Sequence, residues 1–131
     1  MINQPLQTLS KITNFSEFYS SATRFKTHHF LTYIVCKKNS GCESTLKFAV
    51  VTSKKGVHKR AVKRNRARRR LKNAFLNYLK TATFPPGVEI QVLFMANRSV
   101  LDAPWEKLLG TVHIAMQTVR AQCTTTLEVK L

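Results

Sequence analysis

The sequence predicts a single α+β domain in which helices pack on a small mixed or antiparallel sheet. Segments of period two, rich in β-branched and aromatic residues, alternate with longer segments whose apolar residues recur at steps of three and four. The resulting order is helix, two or three strands, helix, strand, helix. A chain of 131 residues is also long enough to bury a core without metal or disulfide, and 44% of this one is hydrophobic. That share excludes a disordered basic tail, despite a formal net charge of +16. Residues 1–131 are read as one domain, with 1–8 and 124–131 as frayed ends.

Leu9, Ile12, Phe15, Phe18 and Tyr19 follow a helical period within the segment from Leu6 to Tyr19, and Asn14 is placed to cap a short helix from Phe15 with Glu17 at its positive end. Thr23–Lys26 reads as a short strand. The run from Phe30 to Lys38 reads as a longer one, with Phe30, Thr32, Ile34 and Cys36 on one face and Leu31, Tyr33 and Val35 on the other, so both faces need cover. Asn39–Ser44 has turn chemistry, which makes Thr45–Ser53 the returning strand of a hairpin. Ala67, Leu71, Ala74, Phe75, Tyr78 and Leu79 then form one helical stripe. Extended backwards, the stripe meets Arg64 and Arg60. The first two turns of that helix therefore project beyond the core or line a polar cleft. Phe84-Pro85-Pro86-Gly87 ends the helical region, Val88–Ala96 reads as a central strand, and Asp102 with Pro104 opens a last helix. Its stripe is Trp105, Leu108, Leu109, Val112, Ala115, Met116 and Val119, and it runs to about Cys123.

Lys54–Lys72 holds eleven of the 22 Lys and Arg residues and no acid. Like charges three or four residues apart on a helix repel, so a polyanionic partner is needed to relieve them. At a pI near 10.5 nucleic acid ranks first, an anionic membrane second and an acidic protein third. Pro85 and Pro86 stop the helix too early for the coiled coil that a DNA-reading basic zipper requires, and no apolar run has the length of a membrane span. Cys36, Cys42 and Cys123 match neither a redox pair nor a zinc knuckle and are read as reduced. With no targeting signal in the first fourteen residues, the expected site is the cytoplasm. The six acids lack the paired spacing of acid–base catalysis, and His28, His29, His58 and His113 make no metal set.

Ser53-Lys54-Lys55, Ala61-Val62, Arg64-Asn65-Arg66 and Arg68-Arg69, followed by Leu71, Ala74 and Phe75, resemble the signature of the bacterial ribonuclease P protein subunit, whose hallmark is an RNR helix. Asn14-Phe15, Tyr19, Phe30 and Tyr33 fall where that family carries aromatics, and the likeness covers about residues 9–120. One departure stands out: five residues, Gly56–Arg60, separate Lys55 from Ala61 where the family pattern has three, so the loop leading into the basic helix is expected to be reshaped.

The resemblance implies a ribosomal protein S5 domain 2-like fold, with a four-stranded sheet in α-β-β-β-α-β-α order and a left-handed crossover at the RNR helix. It implies the catalytic ribonuclease P RNA and precursor tRNA as partners. The RNA would perform Mg²⁺-dependent removal of the 5′ leader, and the protein would supply binding, with no cofactor and no catalytic residue of its own. Lys54, Lys55, Lys59, Arg60, Lys63, Arg64, Asn65, Arg66, Arg68, Arg69 and Lys72 become the expected RNA contacts, with Asn65 orienting backbone or metal-bound water. Phe15, Tyr19, Phe30 and Tyr33 become an expected cleft for the single-stranded leader, although Phe30 also fits a plain core position. A structural RNA binder of ribosomal-protein type is the alternative that such a fold would also permit.

Overall fold

The computed structural model describes residues 4–5, 8–38, 44–84 and 87–129. In chain order the elements are β1 (Gln4–Pro5), β2 (Thr8–Lys11), α1 (Phe15–Ser21), β3 (Thr23–Lys26), β4 (Phe30–Lys38), β5 (Thr45–Val51), α2 (Ala61–Leu79), β6 (Thr83–Phe84), β7 (Val88–Ala96), a 3₁₀ turn (Arg98–Leu101) and α3 (Trp105–Val129). The main sheet has five strands in the order β2-β5-β7-β4-β3, not the four expected. It is mixed: β7 runs parallel to β5 and antiparallel to β4. A second small sheet pairs β1 with β6.

Two expectations fail for the same reason, since periodicity reports a face but not a partner. β4 and β5 do not form a hairpin; β7 lies between them and pairs with both. Most of the turn proposed between them, residues 39–43, lies outside the described residues. Thr8–Lys11, given a helical period, is instead a strand that runs parallel to β5 at the sheet edge. Toward the two ends, β1 and β2 lie within the first eleven residues, and α3 continues to Val129.

The short helix α1 forms as its sequence dictates. Asn14 Oδ1 accepts the Glu17 amide at 3.2 Å, and the Asn14 side-chain amide returns a bond to Glu17 Oε2 at 3.1 Å. Phe18 buries against Ile12, Val35 and Leu93 on one face of the sheet. On the other face α2 and α3 cover the larger core with the stripes read from sequence: Ala67, Leu71, Ala74, Phe75 and Tyr78, then Leu108, Val112, Ala115, Met116 and Val119. At its centre Phe75 stacks on Phe48 with centroids 3.8 Å apart and meets Phe94 edge-on at 5.8 Å. Phe75→Ala is expected to cost about 3–5 kcal/mol, a large part of the roughly 5–15 kcal/mol of a whole domain. Urea unfolding should show a lower midpoint at unchanged slope, and a loss under about 1 kcal/mol would mean that the site refills on truncation.

Cys36 on β4 and Cys123 on α3 form a disulfide, with Cα atoms 5.6 Å apart across 87 residues of sequence. This corrects the reading of both as free thiols. The strand faces assigned to β4 place Cys36 toward the helix layer, and sequence spacing carried no sign that α3 would bring Cys123 opposite it.

Candidate nucleic-acid interface

The loop ahead of α2 is held from within. Ser53 Oγ accepts the Gly56 amide at 2.8 Å, the Ser53 carbonyl accepts the Val57 amide at 3.0 Å, and Val57 inserts into the core. A Cβ on Gly56 would stand 2.8 Å from Ser53 Oγ and 3.4 Å from the Ala96 carbonyl, so a side chain here would push the Ser53 hydroxyl off the Gly56 amide. Anchored in this way, the loop leaves Lys54, Lys55, Lys59 and Arg60 exposed. His58 Nδ1 accepts the Arg60 amide at 3.1 Å at the start of α2. Accepting there requires an unprotonated Nδ1. Desolvation, then the charges of Arg98, Arg60, Lys63 and Lys59, hold the His58 pKa below its ordinary value.

The arginines of α2 divide by azimuth. At 3.6 residues per turn, Arg64, Arg68 and Lys72 fall on one side of the buried Ala67–Leu71–Ala74 stripe, and Lys63, Arg66 and Arg70 on the other. Arg64 Nη1 reaches back to the carbonyls of Lys59 at 2.8 Å and His58 at 3.2 Å. Arg68 is braced by Asn65 Oδ1 at 2.8 Å and Thr52 Oγ1 at 2.9 Å. Asn65 therefore aims a neighbouring arginine with the acceptor that sequence reasoning assigned to RNA. Arg66, Arg69 and Lys72 are exposed. Arg70, which was not among the expected contacts, turns inward and donates to the carbonyls of Val100 and Ala103, fixing the 3₁₀ turn against α2. Its position beside Leu71, on the flank of the stripe, was the available signal.

Between α1 and α2 lies a groove of about 560 Å³. It opens where β2, which accompanies β5 only as far as Phe48, leaves the sheet. Phe48, Ala49, Val50 and Leu76 contribute apolar surface, Leu9 and Phe15 stand on one side, and Arg68 and Lys72 stand on the other. Phe15 is 41% exposed and Tyr19 39%. Their rings, 6.4 Å apart, continue to Tyr33 at 5.3 Å from Tyr19 in an edge-on contact. Partial burial, and then Tyr33, raise the Tyr19 phenol above its ordinary pKa and keep it a neutral donor. Three of the four expected cleft aromatics thus come together. Phe30 does not: it is fully buried on the opposite face of the sheet, 4.4 Å from Phe94. Its strand position alternates with Tyr33, and Phe30 faces the helix layer for that reason.

The two ion pairs found among the described residues, Lys37–Glu17 at 3.7 Å and Lys47–Glu89 at 3.5 Å, both lie away from α2. Among those residues no group of three or more His, Cys, Asp or Glu side chains is placed to hold a metal ion, and no helix is long and apolar enough to cross a membrane. His28 and His29 lie just before β4 with their rings 4.3 Å apart, and His29 Nδ1 pairs with Ser99 Oγ at 3.0 Å.

The sequence profile of one family, Ribonuclease P, matches residues 4–120. The chain belongs to the ribonuclease P family. No curated protein matches it in sequence. Among solved structures it is similar to the ribonuclease P protein of Staphylococcus aureus, with a TM-score of 0.59 and 16% identity over 85% of this chain and 94% of that one. It is also similar to the ribonuclease P protein of Thermotoga maritima, with a TM-score of 0.56 and 15% identity over 80% and 93%. At such identities the structures report a shared fold: an α+β arrangement with a mixed five-stranded sheet and three helices. Membership of the ribonuclease P family gives the chain a role in tRNA 5′ processing and an RNA partner within an endoribonuclease assembly.

Proposed function

We propose that this chain is the protein subunit of ribonuclease P, holding the catalytic RNA with the cations of 54–72 and the single-stranded 5′ leader of precursor tRNA in the groove. One observation carries the reading: a single groove combines an exposed ring and an apolar floor with three cations, Lys11, Arg68 and Lys72. Rings and apolar surface take unstacked bases, and cations take the phosphates that join them, a combination that a duplex with its bases hidden does not use. Phe15, Tyr19 and Tyr33 supply the stacking surface. Lys54, Lys55, Lys59, Arg60, Lys63, Arg66 and Arg69 meet phosphates of the RNA subunit. Arg64 and Asn65 act by shaping the loop and aiming Arg68.

In this reading the Mg²⁺ that promotes hydrolysis belongs to the RNA. The protein contributes position and charge screening to cleavage in the cytoplasm. The family's S5 domain 2-like topology, with its left-handed crossover at α2, belongs to the same proposal. The test is cleavage of a precursor tRNA at low Mg²⁺ by a bacterial ribonuclease P RNA, with and without this protein. Accurate leader removal that needs both components is expected. Tight RNA binding with no gain in cleavage would make the chain a structural binder instead.

A further inference from the structure

Arg98 lies outside the basic stretch 54–72, and the fold carries it there. Arg70 donates to the carbonyls of Val100 and Ala103, which clamps the 3₁₀ turn Arg98–Leu101 against α2. From the other direction, the loop ahead of α2 packs on the end of β7. Val57 is buried in the same core cluster as Ala96, Val100 and Leu101, and a Cβ on Gly56 would come within 3.4 Å of the Ala96 carbonyl. Two residues beyond Ala96, Arg98 is exposed and stands beside His58. After desolvation, its charge is the largest of those that lower the His58 pKa, ahead of Arg60, Lys63 and Lys59. Loop, helix and 3₁₀ turn therefore each bring cations to one place. His58 adds a donor, since its Nδ1 accepts the Arg60 amide and the neutral ring then carries its proton on Nε2. Asp102, at the end of the turn, and Glu106, in the first turn of α3, are the acids nearest Arg98 in sequence. Neither takes part in the ion pairs found among the described residues.

This place lies on the flank of α2 that carries Lys63, Arg66 and Arg70, across the buried stripe from Arg68 and Lys72, which line the groove. The two flanks differ in chemistry. The groove offers a ring and an apolar floor, whereas Arg98, Lys63, Arg60 and His58 offer charge and N–H donors. Donors without an apolar floor suit the phosphates of base-paired RNA, whose bases are hidden in the helix. We propose that Arg98, with Lys63, Arg60 and the imidazole of His58, forms a phosphate-binding site for a base-paired segment of the RNA subunit, so that α2 separates that RNA from the single-stranded leader. The inference rests on the ribonuclease P reading. It adds a contact residue from outside the basic helix and divides the labour between the two flanks of that helix.

Filter binding of a bacterial ribonuclease P RNA across a salt series, with Arg98→Ala in the full chain, tests the site. Arg98 is exposed, so truncation leaves the core in place. The slope of log affinity against log salt should become shallower by about 0.7 to 0.9, the value of one phosphate, and Arg98→Lys should restore it. Arg98→Ala with Lys63→Ala should roughly double the change. The ratio of precursor to mature tRNA affinity in the holoenzyme should stay at its wild-type value, because the leader lies on the other flank. An unchanged salt slope would overturn the proposal. So would a loss confined to precursor tRNA, which would put Arg98 on the leader path. Precursor cleavage by the wild-type protein with the same RNA tests the underlying reading separately: with that cleavage intact, either result strikes this site alone.

Discussion

RNA affinity is expected to fall about a thousandfold or more as monovalent salt rises from about 50 to 200 mM at fixed Mg²⁺, the loss associated with six or more neutralised phosphates. Lys54, Lys55, Lys59, Arg60, Arg66, Arg68, Arg69 and Lys72 are all exposed, and the ion pairs found among the described residues engage none of them. Cations outside those ion pairs gain most from displacing counterions condensed on RNA, and salt removes that gain. Each phosphate contributes about 0.7 to 0.9 to the slope of log affinity against log salt. Arg66→Ala with Arg69→Ala should make the slope for the RNA subunit shallower by roughly one and a half. Filter binding across a salt series measures this directly, and a slope near zero would remove electrostatics as the basis of recognition.

The basic helix was legible because its own period contradicts its charge. An apolar stripe that runs into Arg64 and Arg60 has to leave the core, and the fold places the unsupported turns over a loop whose His58 and Lys59 carbonyls Arg64 holds. The cap of α1 was legible for a similar local reason, because Asn14 and Glu17 satisfy each other three residues apart. Strand partners were not legible. β7 reads as central, and the structure places it there, but nothing within β4 or β5 states that a strand some forty residues later separates them. The groove depends on that pairing, since it exists because β2 occupies only the first half of the β5 edge. Sequence therefore supplied the ingredients of the site, Phe15 and Arg68 among them, without the gap that brings them together. Phe30 marks the opposite limit. Its residue type fits a stacking platform and its alternation with Tyr33 sets it on the other face, so pattern outweighs residue type once the sheet is formed.

Phe15→Ala with Tyr19→Ala is expected to weaken precursor tRNA binding by the holoenzyme while leaving mature tRNA binding close to wild type. Base stacking on an aromatic side chain is worth about 1–3 kcal/mol per base, so loss of both rings predicts about 2–6 kcal/mol, a factor of roughly thirty or more. Both side chains keep about two-fifths of their surface open, so truncation removes little core packing. Tyr19 does touch Phe18 and Tyr33, at 5.6 and 5.3 Å, and Tyr19→Phe separates that packing from the chemistry of the hydroxyl. If stacking dominates, Tyr19→Phe retains most of the affinity. If the neutral phenol donates to the leader, part of the affinity is lost with the hydroxyl and the ring alone does not restore it. Mature tRNA provides the deciding control, because it lacks the leader but shares every other contact. Equal losses for precursor and mature tRNA would place the aromatic line outside the leader path and return Phe15 and Tyr19 to general RNA or structural duty. A loss confined to the precursor ties the groove to the one segment of substrate that processing removes.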